Sequence, residues 1–173
     1  MALLTWRDMR AADLPGVVAI AEQVHPGFPE APAIPAERLA LCPAGCLVLE
    51  GSAVVVGYVV SHPWLAGAAP KLDSLLGALP AAPGCWYWHD LALLPAARGR
   101  GAAAAAVARV LALAQRAGLG SVALVAVGQS GGFWRRMGFA PAEGPELASY
   151  GAGAAYMVRQ VAAGGGPADR PGA

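Results

Sequence analysis

The sequence predicts an α/β fold of three layers, in which a mixed, mostly antiparallel twisted sheet of about six to seven strands carries helices on both faces. Three observations support this fold class. An alanine-rich helical pattern between two apolar strands predicts a parallel crossover unit. Two β-rich segments separated by Gly51-Ser52 predict an antiparallel hairpin. Valine runs at 54–56 and 59–60 indicate strands that are covered on both faces.

The first third of the chain predicts a strand and two helices. Residues 3–6 can form a strand, and the next helix has Asp13 as its N-cap and Pro15 in its first turn. The segment His25-Pro-Gly-Phe-Pro29 ends this helix, because Pro and Gly interrupt it. A proline-rich loop then precedes a short helix at residues 35–41. This loop is either a substrate lid or a plain surface connection.

The middle third predicts the hairpin, a long excursion and an aromatic strand. The hairpin strands are residues 46–50 and 53–61, and the excursion, residues 62–84, carries one or two helical turns around 72–79. The aromatic strand is residues 85–93. Residues 51–70 contain no charged side chain, but Gly, Pro and β-branched residues interrupt them, so we predict no membrane helix.

The last third predicts the second half of the crossover. A helix runs from Gly101 towards Gly118, a buried strand follows at residues 121–127, and a short helix occupies residues 133–137. A last strand covers residues 154–161. Glycine and proline then predict a disordered tail at 163–173, which leaves residues 1–162 as one domain.

Composition narrows the classes of partner. The chain has 173 residues, a formal net charge of +1 and 13% charged residues, so no basic surface predicts nucleic-acid binding. A small molecule is the predicted partner. Cys42, Cys46 and Cys85 form neither a disulfide pattern nor the paired spacing of a zinc site, so no metal is predicted. Early charges argue against a signal peptide, and we expect a cytoplasmic protein.

The loop between the aromatic strand and the long helix has the features of an anion site. Free backbone N–H groups and the helix dipole favour a phosphate at the first turn of a helix. Gly99 and Gly101 remove Cβ atoms where a ligand would approach, and Arg98 and Arg100 add donors and charge. The loop therefore predicts a phosphate-bearing ligand.

Three classes of phosphate ligand can be compared with this loop. A P-loop would require Gly-Lys-Ser/Thr, which the sequence lacks. A dinucleotide-binding oxidoreductase is an alternative, because Gly99-x-Gly101-x-x-Ala104 matches the degenerate Rossmann fingerprint. However, the strand at 121–127 is followed by Gly128-Gln129 and no acid for a ribose hydroxyl. The third class is acyl-CoA.

Two motifs carry a resemblance to a known family. Arg98-x-x-Gly101-x-Ala103 resembles the Arg/Gln-x-x-Gly-x-Gly/Ala pyrophosphate motif of the GNAT superfamily of acetyl-CoA-dependent N-acyltransferases. The segment from Phe133 to Phe139 resembles the family's Phe-Tyr-x-x-x-Gly-Phe segment. The resemblance implies a GNAT-like fold, acetyl-CoA as co-substrate, and direct transfer of acetyl to a primary amine of a small molecule, or of a protein or peptide. We expect a monomer or a homodimer.

The resemblance also implies which residues hold CoA. In that family two strands splay apart, pantetheine pairs with the backbone of the first, and the pyrophosphate sits on the loop. The positions implied here are Leu91, Ala92, Leu93, Arg98, Gly99, Arg100, Gly101, Ala102, Ala103, Ser130, Phe133 and Trp134.

Acetyl transfer requires a neutral amine, so we expect a residue that accepts the proton of the amine near the end of the aromatic strand. His89 is the first candidate, on the same face as Tyr87. Asp90 is the second, although it points to the other face unless the bulge common in the family redirects it.

Trp134 stands where the family has the tyrosine that acts as general acid, and the indole N–H cannot protonate a thiolate. Either Tyr150, preferred over Tyr156, supplies the proton instead, or the thiolate leaves unassisted. A non-catalytic acyl-CoA-binding module is an alternative.

The acceptor is indicated only by aromatic residues. Trp64, Trp86, Trp88, His25 and Phe28 predict an aromatic, apolar pocket with few acids. Such a pocket suits a small amine with an apolar body better than a polyamine.

Overall fold

The computed structural model describes residues 3–162, so the predicted tail at 163–173 lies outside the described residues. The chain forms seven strands and four α-helices. In chain order they are β1 Leu4–Asp8, α1 Leu14–Val24, α2 Ala33–Leu41, β2 Cys46–Gly51, β3 Val54–Trp64, β4 Cys85–Leu93, α3 Ala102–Arg116, β5 Ser121–Ala126, α4 Gly131–Arg136, β6 Ala140–Pro141 and β7 Ala155–Gln160.

The seven strands form one mixed sheet in the order β1-β2-β3-β4-β5-β7-β6. Every neighbouring pair is antiparallel except β4 and β5, which are parallel and joined through α3. Side chains of α3 such as Val110 pack with Trp88 on one face of the sheet. Side chains of α1 such as Val17 pack with Tyr58 on the other. The predicted fold class is therefore confirmed, with helices on both faces.

The sheet opens between its two parallel strands. Strands β4 and β5 pair only from Trp86 opposite Val122 to Trp88 opposite Leu124. Strand β4 nevertheless continues to Leu93, still paired on its other edge with β3. The carboxyl-terminal half of β4 therefore has one edge without a strand partner, and this gap positions the cleft described below.

The helical turns predicted at 72–79 are wrong. No helix forms in that part of the described chain. Glu37 accepts hydrogen bonds from the N–H groups of Leu76 and Gly77 at 2.8 Å each, and Arg38 donates to the Ser74 carbonyl oxygen at 2.9 Å. Side chains of α2 thus satisfy backbone groups that a helix would have paired, and Gly77 adopts a φ of 74° that ends regular structure.

The N-cap position predicted for Asp13 is confirmed, with Pro15 in the first turn, but the Asp13 side chain does not cap the helix α1. Its two oxygens instead accept from the Arg7 guanidinium at 2.8 and 2.9 Å, and one also accepts from the Arg10 N–H. These three charge-assisted hydrogen bonds engage both carboxylate oxygens, so neither oxygen is left to cap α1.

Other differences from prediction are small. The two-residue strand β6 has no sequence signal, and α2 and α4 each begin two residues earlier than predicted. Cys42, Cys46 and Cys85 are buried free thiols, and burial raises the pKa of Cys46 to about 12. Residues 51–70 contain the whole of β3, and no helix within residues 3–162 has the length and apolarity needed to cross a membrane.

His62 on β3 gives the fold a testable pH dependence. It is fully buried, and Nδ1 donates to the Pro63 carbonyl oxygen at 3.0 Å. Burial lowers the pKa of His62 to about 4. The unfolded chain therefore binds a proton near pH 6.5, whereas the folded state binds it only near pH 4. Stability from this group is therefore complete above about pH 6.5 and falls as the pH drops towards 4, by about 3 kcal/mol.

We expect His62→Gln to remove this part of the pH dependence. The free energy of unfolding, measured by urea denaturation at pH 7 and pH 4, should fall by about 3 kcal/mol less in the variant than in the parent chain. The carboxylates titrate equally in the parent chain and in the variant, so their contribution cancels in the comparison. Parallel curves for the two proteins would contradict the assignment.

Candidate active site

A cleft of about 350 Å³ lies where β4 and β5 separate. Its wall is formed by the bulged part of β4, the end of β5 with the loop after it, α4, the loop between α1 and α2, and single residues from the segment before β4 and from the segment before β7. The lining residues include Trp88, His89, Asp90, Leu91, Leu124, Val127, Gly128, Gln129, Ser130, Phe133, Trp134, His25, Phe28, Glu30, Leu72 and Tyr150.

A bulge in β4 places two candidate residues on the same side of the sheet. Val60 on β3 pairs with Asp90, but the next residue, Ser61, pairs with Trp88, so His89 has no residue opposite it. An extra residue in one strand reverses the alternation beyond it. The bulge on which Asp90 depended is therefore present, and Asp90 faces the helices α1 and α2 together with His89.

Glu30 holds the His89 side chain. The Nε2 atom of His89 lies 2.8 Å from one oxygen of Glu30, whose other oxygen accepts from the Asp73 N–H at 3.0 Å. The His89 side chain is only 4% exposed, and Nδ1 has no hydrogen-bond partner among the described residues. His89 and Glu30 form the first imidazole–carboxylate pair of the cleft.

His25 and Asp90 form the second pair. The Nε2 atom of His25 lies 3.0 Å from a carboxylate oxygen of Asp90 and 3.1 Å from the Leu91 carbonyl oxygen. Both neighbours can only accept, so Nε2 carries the proton, and Nδ1 is the basic atom of the neutral ring. The second oxygen of Asp90 accepts a hydrogen bond from the Tyr58 hydroxyl. The His25 side chain is 27% exposed, which leaves it open to a substrate.

The two groups of this second pair shift each other's pKa. Burial lowers the pKa of His25, but the hydrogen bond and charge of Asp90 outweigh burial, and the pKa is raised. Burial raises the pKa of Asp90, but the hydrogen bonds from His25 and Tyr58 and the charge of His25 together outweigh burial, and the pKa is lowered. Asp90 is therefore an ionised carboxylate with both oxygens engaged, which suits it to orienting His25 rather than to taking up a proton.

Tyr150 and Trp134 occupy different environments. The Tyr150 hydroxyl donates to the Pro70 carbonyl oxygen at 2.6 Å and lies 3.4 Å from the Tyr87 hydroxyl. Burial raises the pKa of Tyr150, which keeps the phenol protonated. The indole of Trp134 packs edge-on against Trp88 and Phe139, with ring centres 5.1 and 5.3 Å apart. Trp134 thus combines a core position with a place on the cleft wall.

The glycine loop before α3 is open. Gly99 and Gly101 have φ values of 69° and 76°, and a Cβ added at either would meet no atom within 4 Å. The two glycines therefore supply left-handed backbone, and both are exposed just before Ala102, the first residue of α3. The Arg98 Nε donates to the Leu93 carbonyl oxygen at 3.0 Å, which ties the loop to the end of β4.

Ser130 has a local role in the structure. Its hydroxyl donates to the Val127 carbonyl oxygen at 2.7 Å and lies 3.1 Å from the Val127 N–H. It therefore closes the turn after β5 and stands at the edge of the cleft together with Phe133.

The predicted aromatic pocket is only partly correct. Trp88, His25 and Phe28 line the cleft, but Trp86 is a core residue on the α3 face and Trp64 packs in a separate cluster around Tyr87. Trp86 shares its face with Trp88 but lies two residues further from the point where β4 and β5 separate.

Sequence reasoning missed three residues of the site. The proton-accepting potential of His25 and the contributions of Glu30 and Tyr58 were not predicted. The His25-Pro motif was recognised only as a helix stop, and neither Glu30 nor Tyr58 belongs to a motif. Each contacts a β4 residue that is remote in sequence, so no local pattern could have identified them.

Structural comparison finds solved structures that share this fold. Ard1 from Thermoplasma volcanium superposes with a TM-score of 0.71 at 20% identity, over 91% of this chain and 97% of that one. The ribosomal-protein-S18-alanine N-acetyltransferase from Escherichia coli gives 0.65 at 14% identity, over 96% and 98%. GphF, a GNAT-like decarboxylase in complex with isobutyryl-CoA, gives 0.73 at 19% identity, over 91% and 99%.

Sequence comparison gives the family. No curated protein matches the sequence. The sequence profile of the Acetyltransferase (GNAT) family matches residues 7–139, which is most of the described chain and includes the glycine loop, the bulge and both imidazole–carboxylate pairs. The chain therefore belongs to the GNAT acetyltransferase family.

Proposed function

We propose that this chain transfers an acetyl group from acetyl-CoA directly to a primary amine, and that the amine belongs to a small molecule rather than to a protein or peptide. One observation carries the proposal. The gap between β4 and β5 connects an open glycine loop, suited to a diphosphate, with a wall that carries two imidazole–carboxylate pairs. An acyl donor bound along the gap would reach these pairs.

The loop and β4 are the proposed CoA contacts. Arg98, Arg100 and the N–H groups of residues 99–103 suit the diphosphate, because charge-assisted hydrogen bonds contribute about 1.5 to 3 kcal/mol each. The edge of β4 that lacks a strand partner at residues 91–93 suits the amides of pantetheine, which would share the carbonyl oxygens of Leu91 and Leu93 with His25 and Arg98. Ser130, Phe133 and Trp134 border the path between them. When bound, the thioester supplies an activated acyl carbon.

His25 is the proposed proton acceptor. A lysine-like amine has a pKa near 10.4, so its deprotonation at pH 7 costs about 4 to 5 kcal/mol. Asp90 fixes the Nε2–H of His25 and stabilises the imidazolium that forms when Nδ1 takes the proton. The pair of His89 and Glu30 borders the same cleft and remains the second candidate.

Tyr150 is the proposed proton donor. As the amine nitrogen bonds to the acyl carbon, the carbon–sulfur bond breaks and the leaving sulfur can take a proton. Tyr150 lines the cleft, and its phenol is protonated at neutral pH. Trp134 lacks an acidic proton, so it cannot serve this purpose.

Two alternatives are less well supported. A non-catalytic acyl-CoA-binding module would explain Trp134 but would leave two aligned imidazole–carboxylate pairs without a use. A dinucleotide-binding oxidoreductase would require a ribose-binding acid after β5, where Gly128 and Gln129 stand.

The three free thiols support a reducing, cytoplasmic location.

Ligand binding and thiol release test the function. We expect acetyl-CoA and CoA, but not NAD(H) or NADP(H), to raise the melting temperature, because only a bound ligand stabilises the folded state. Free thiol should then appear when acetyl-CoA is mixed with a panel of primary amines. Stabilisation by NAD alone would refute CoA binding, and binding without thiol release would favour the non-catalytic module.

We expect Arg98→Ala to weaken acetyl-CoA binding on the order of tenfold, because the variant loses a charge-assisted contact to the diphosphate. Arg116→Ala, at the other end of α3, is the matched control and should bind as the parent does. Calorimetry measures both dissociation constants. Equal affinity in all three proteins would show that the diphosphate lies elsewhere.

We expect Asp90→Asn to shift the pH dependence of kcat/KM. In the parent chain activity should rise with pH through the raised pKa of His25, above 6.5, because only the neutral ring accepts a proton. Without the Asp90 charge, the rise of kcat/KM with pH should occur at lower pH, and the maximal rate should fall.

Asp8→Asn, an exposed carboxylate on β1, is the control for the Asp90 variant. His25→Gln should abolish the rise of kcat/KM with pH while retaining acetyl-CoA binding. If this rise is unchanged in both the Asp90 and His25 variants, His89 is the proton acceptor.

A further inference from the structure

A second cavity adjoins the cleft on the side of α1. This chamber has a volume of about 270 Å³. His25, Asp90, His89 and Glu30 border both the cleft and the chamber. A group in the chamber is therefore next to both imidazole–carboxylate pairs, on the side away from α4 and the turn after β5.

Apart from Glu22 and Tyr58, the rest of the chamber is apolar. Aliphatic side chains of α1 and β3 and two prolines near the start of α2 form its wall, among them Val17, Ala21, Pro29, Pro35 and Val60. Ligand pockets usually measure about 300 to 1,000 Å³, so this chamber fits a body of about one ring or a short branched chain. Apolar contacts of this kind favour an uncharged body.

The charges around the chamber distinguish between acceptors. The described residues that line it include the carboxylates of Glu22, Glu30 and Asp90 but no lysine or arginine. An approaching ammonium group is attracted by these acids. A carboxylate or phosphate on the acceptor would instead meet like charge, and the Nε2–H of His25 is already given to Asp90 and Leu91.

We infer that this chamber binds the body of the acceptor, and that the acceptor is a small primary amine with an apolar body and no anionic group. The inference rests on the proposed acetyl transfer, since it names the substrate class of that same site. It excludes free α-amino acids as good substrates. The competing occupant of the chamber is an acyl chain longer than acetyl.

Three matched amines test the class. Phenethylamine has the proposed character, and phenylalanine adds only a carboxylate. Phenylalaninamide replaces that carboxylate by a neutral amide of similar size. We expect kcat/KM for phenethylamine to exceed that for phenylalanine more than tenfold, and the amide to recover most of the difference. Equal or better use of phenylalanine would overturn the inference while leaving acetyl transfer intact.

A filling variant tests the place. Ala21→Phe puts a ring into the chamber, and Ala19→Phe, at an exposed position of the same helix, is the control. We expect Ala21→Phe to weaken phenethylamine binding at least tenfold by calorimetry in the presence of CoA, with CoA affinity unchanged. Ala19→Phe should bind both ligands as the parent does.

These measurements separate failure of the inference from failure of the function. If no amine releases thiol, acetyl transfer fails, but phenethylamine binding that Ala21→Phe abolishes still supports the chamber and its ligand class. If Ala21→Phe leaves amine binding unchanged, the chamber is not the acceptor site. If it selectively weakens isobutyryl-CoA relative to acetyl-CoA without affecting the amine, the chamber holds the acyl chain and the inference is wrong.

Discussion

The site depends on one local irregularity, the extra residue at His89 in β4. The last paired position between β4 and β5 is Trp88 opposite Leu124, and His89 is the next residue. The bulge and the end of parallel pairing therefore coincide, as expected when a bulge increases local twist and turns a strand away from its neighbour. The same residue thus opens the gap and brings Asp90 to the face that carries His89. Neither change alone would place an acid beside an open strand edge.

The elements set by local chemistry were predictable from the sequence. The two long strands β3 and β4, the helix α3 and the glycine loop follow from β-branched and aromatic runs, helical periodicity and the need for positive φ at Gly99 and Gly101. The pairs within the cleft follow from contacts between distant segments. His25 is 66 residues from Leu91, and Glu30 is 59 residues from His89. Such contacts depend on the assembled sheet, so only the β4 members of each pair could be identified.

The excursion between β3 and β4 shows why propensity failed there. Residues 72–79 contain several leucines, which favour a helix, but α2 provides Glu37 and Arg38 to bind their backbone directly. Glu30 adds a further link, because one oxygen holds His89 and the other holds the Asp73 N–H. The orientation of His89 is therefore coupled to the position of this segment. An isolated helical turn would have satisfied its own backbone and left Glu30 with one partner fewer.

Trp134 connects the packing of the core with the chemistry of the cleft. Its indole fills the space between Trp88, Phe133 and Phe139, with ring centres 4.9 to 5.3 Å apart. A tyrosine there would pack less surface and would place a hydroxyl beside apolar rings, where it would need a partner. With Trp134 committed to packing, a phenolic proton must come from another element. We propose Tyr150 for that role, and the Pro70 carbonyl, on the same excursion that binds Glu30, accepts its hydroxyl and fixes the position of the ring. The excursion therefore orients both a candidate proton donor and His89 from one side of the cleft.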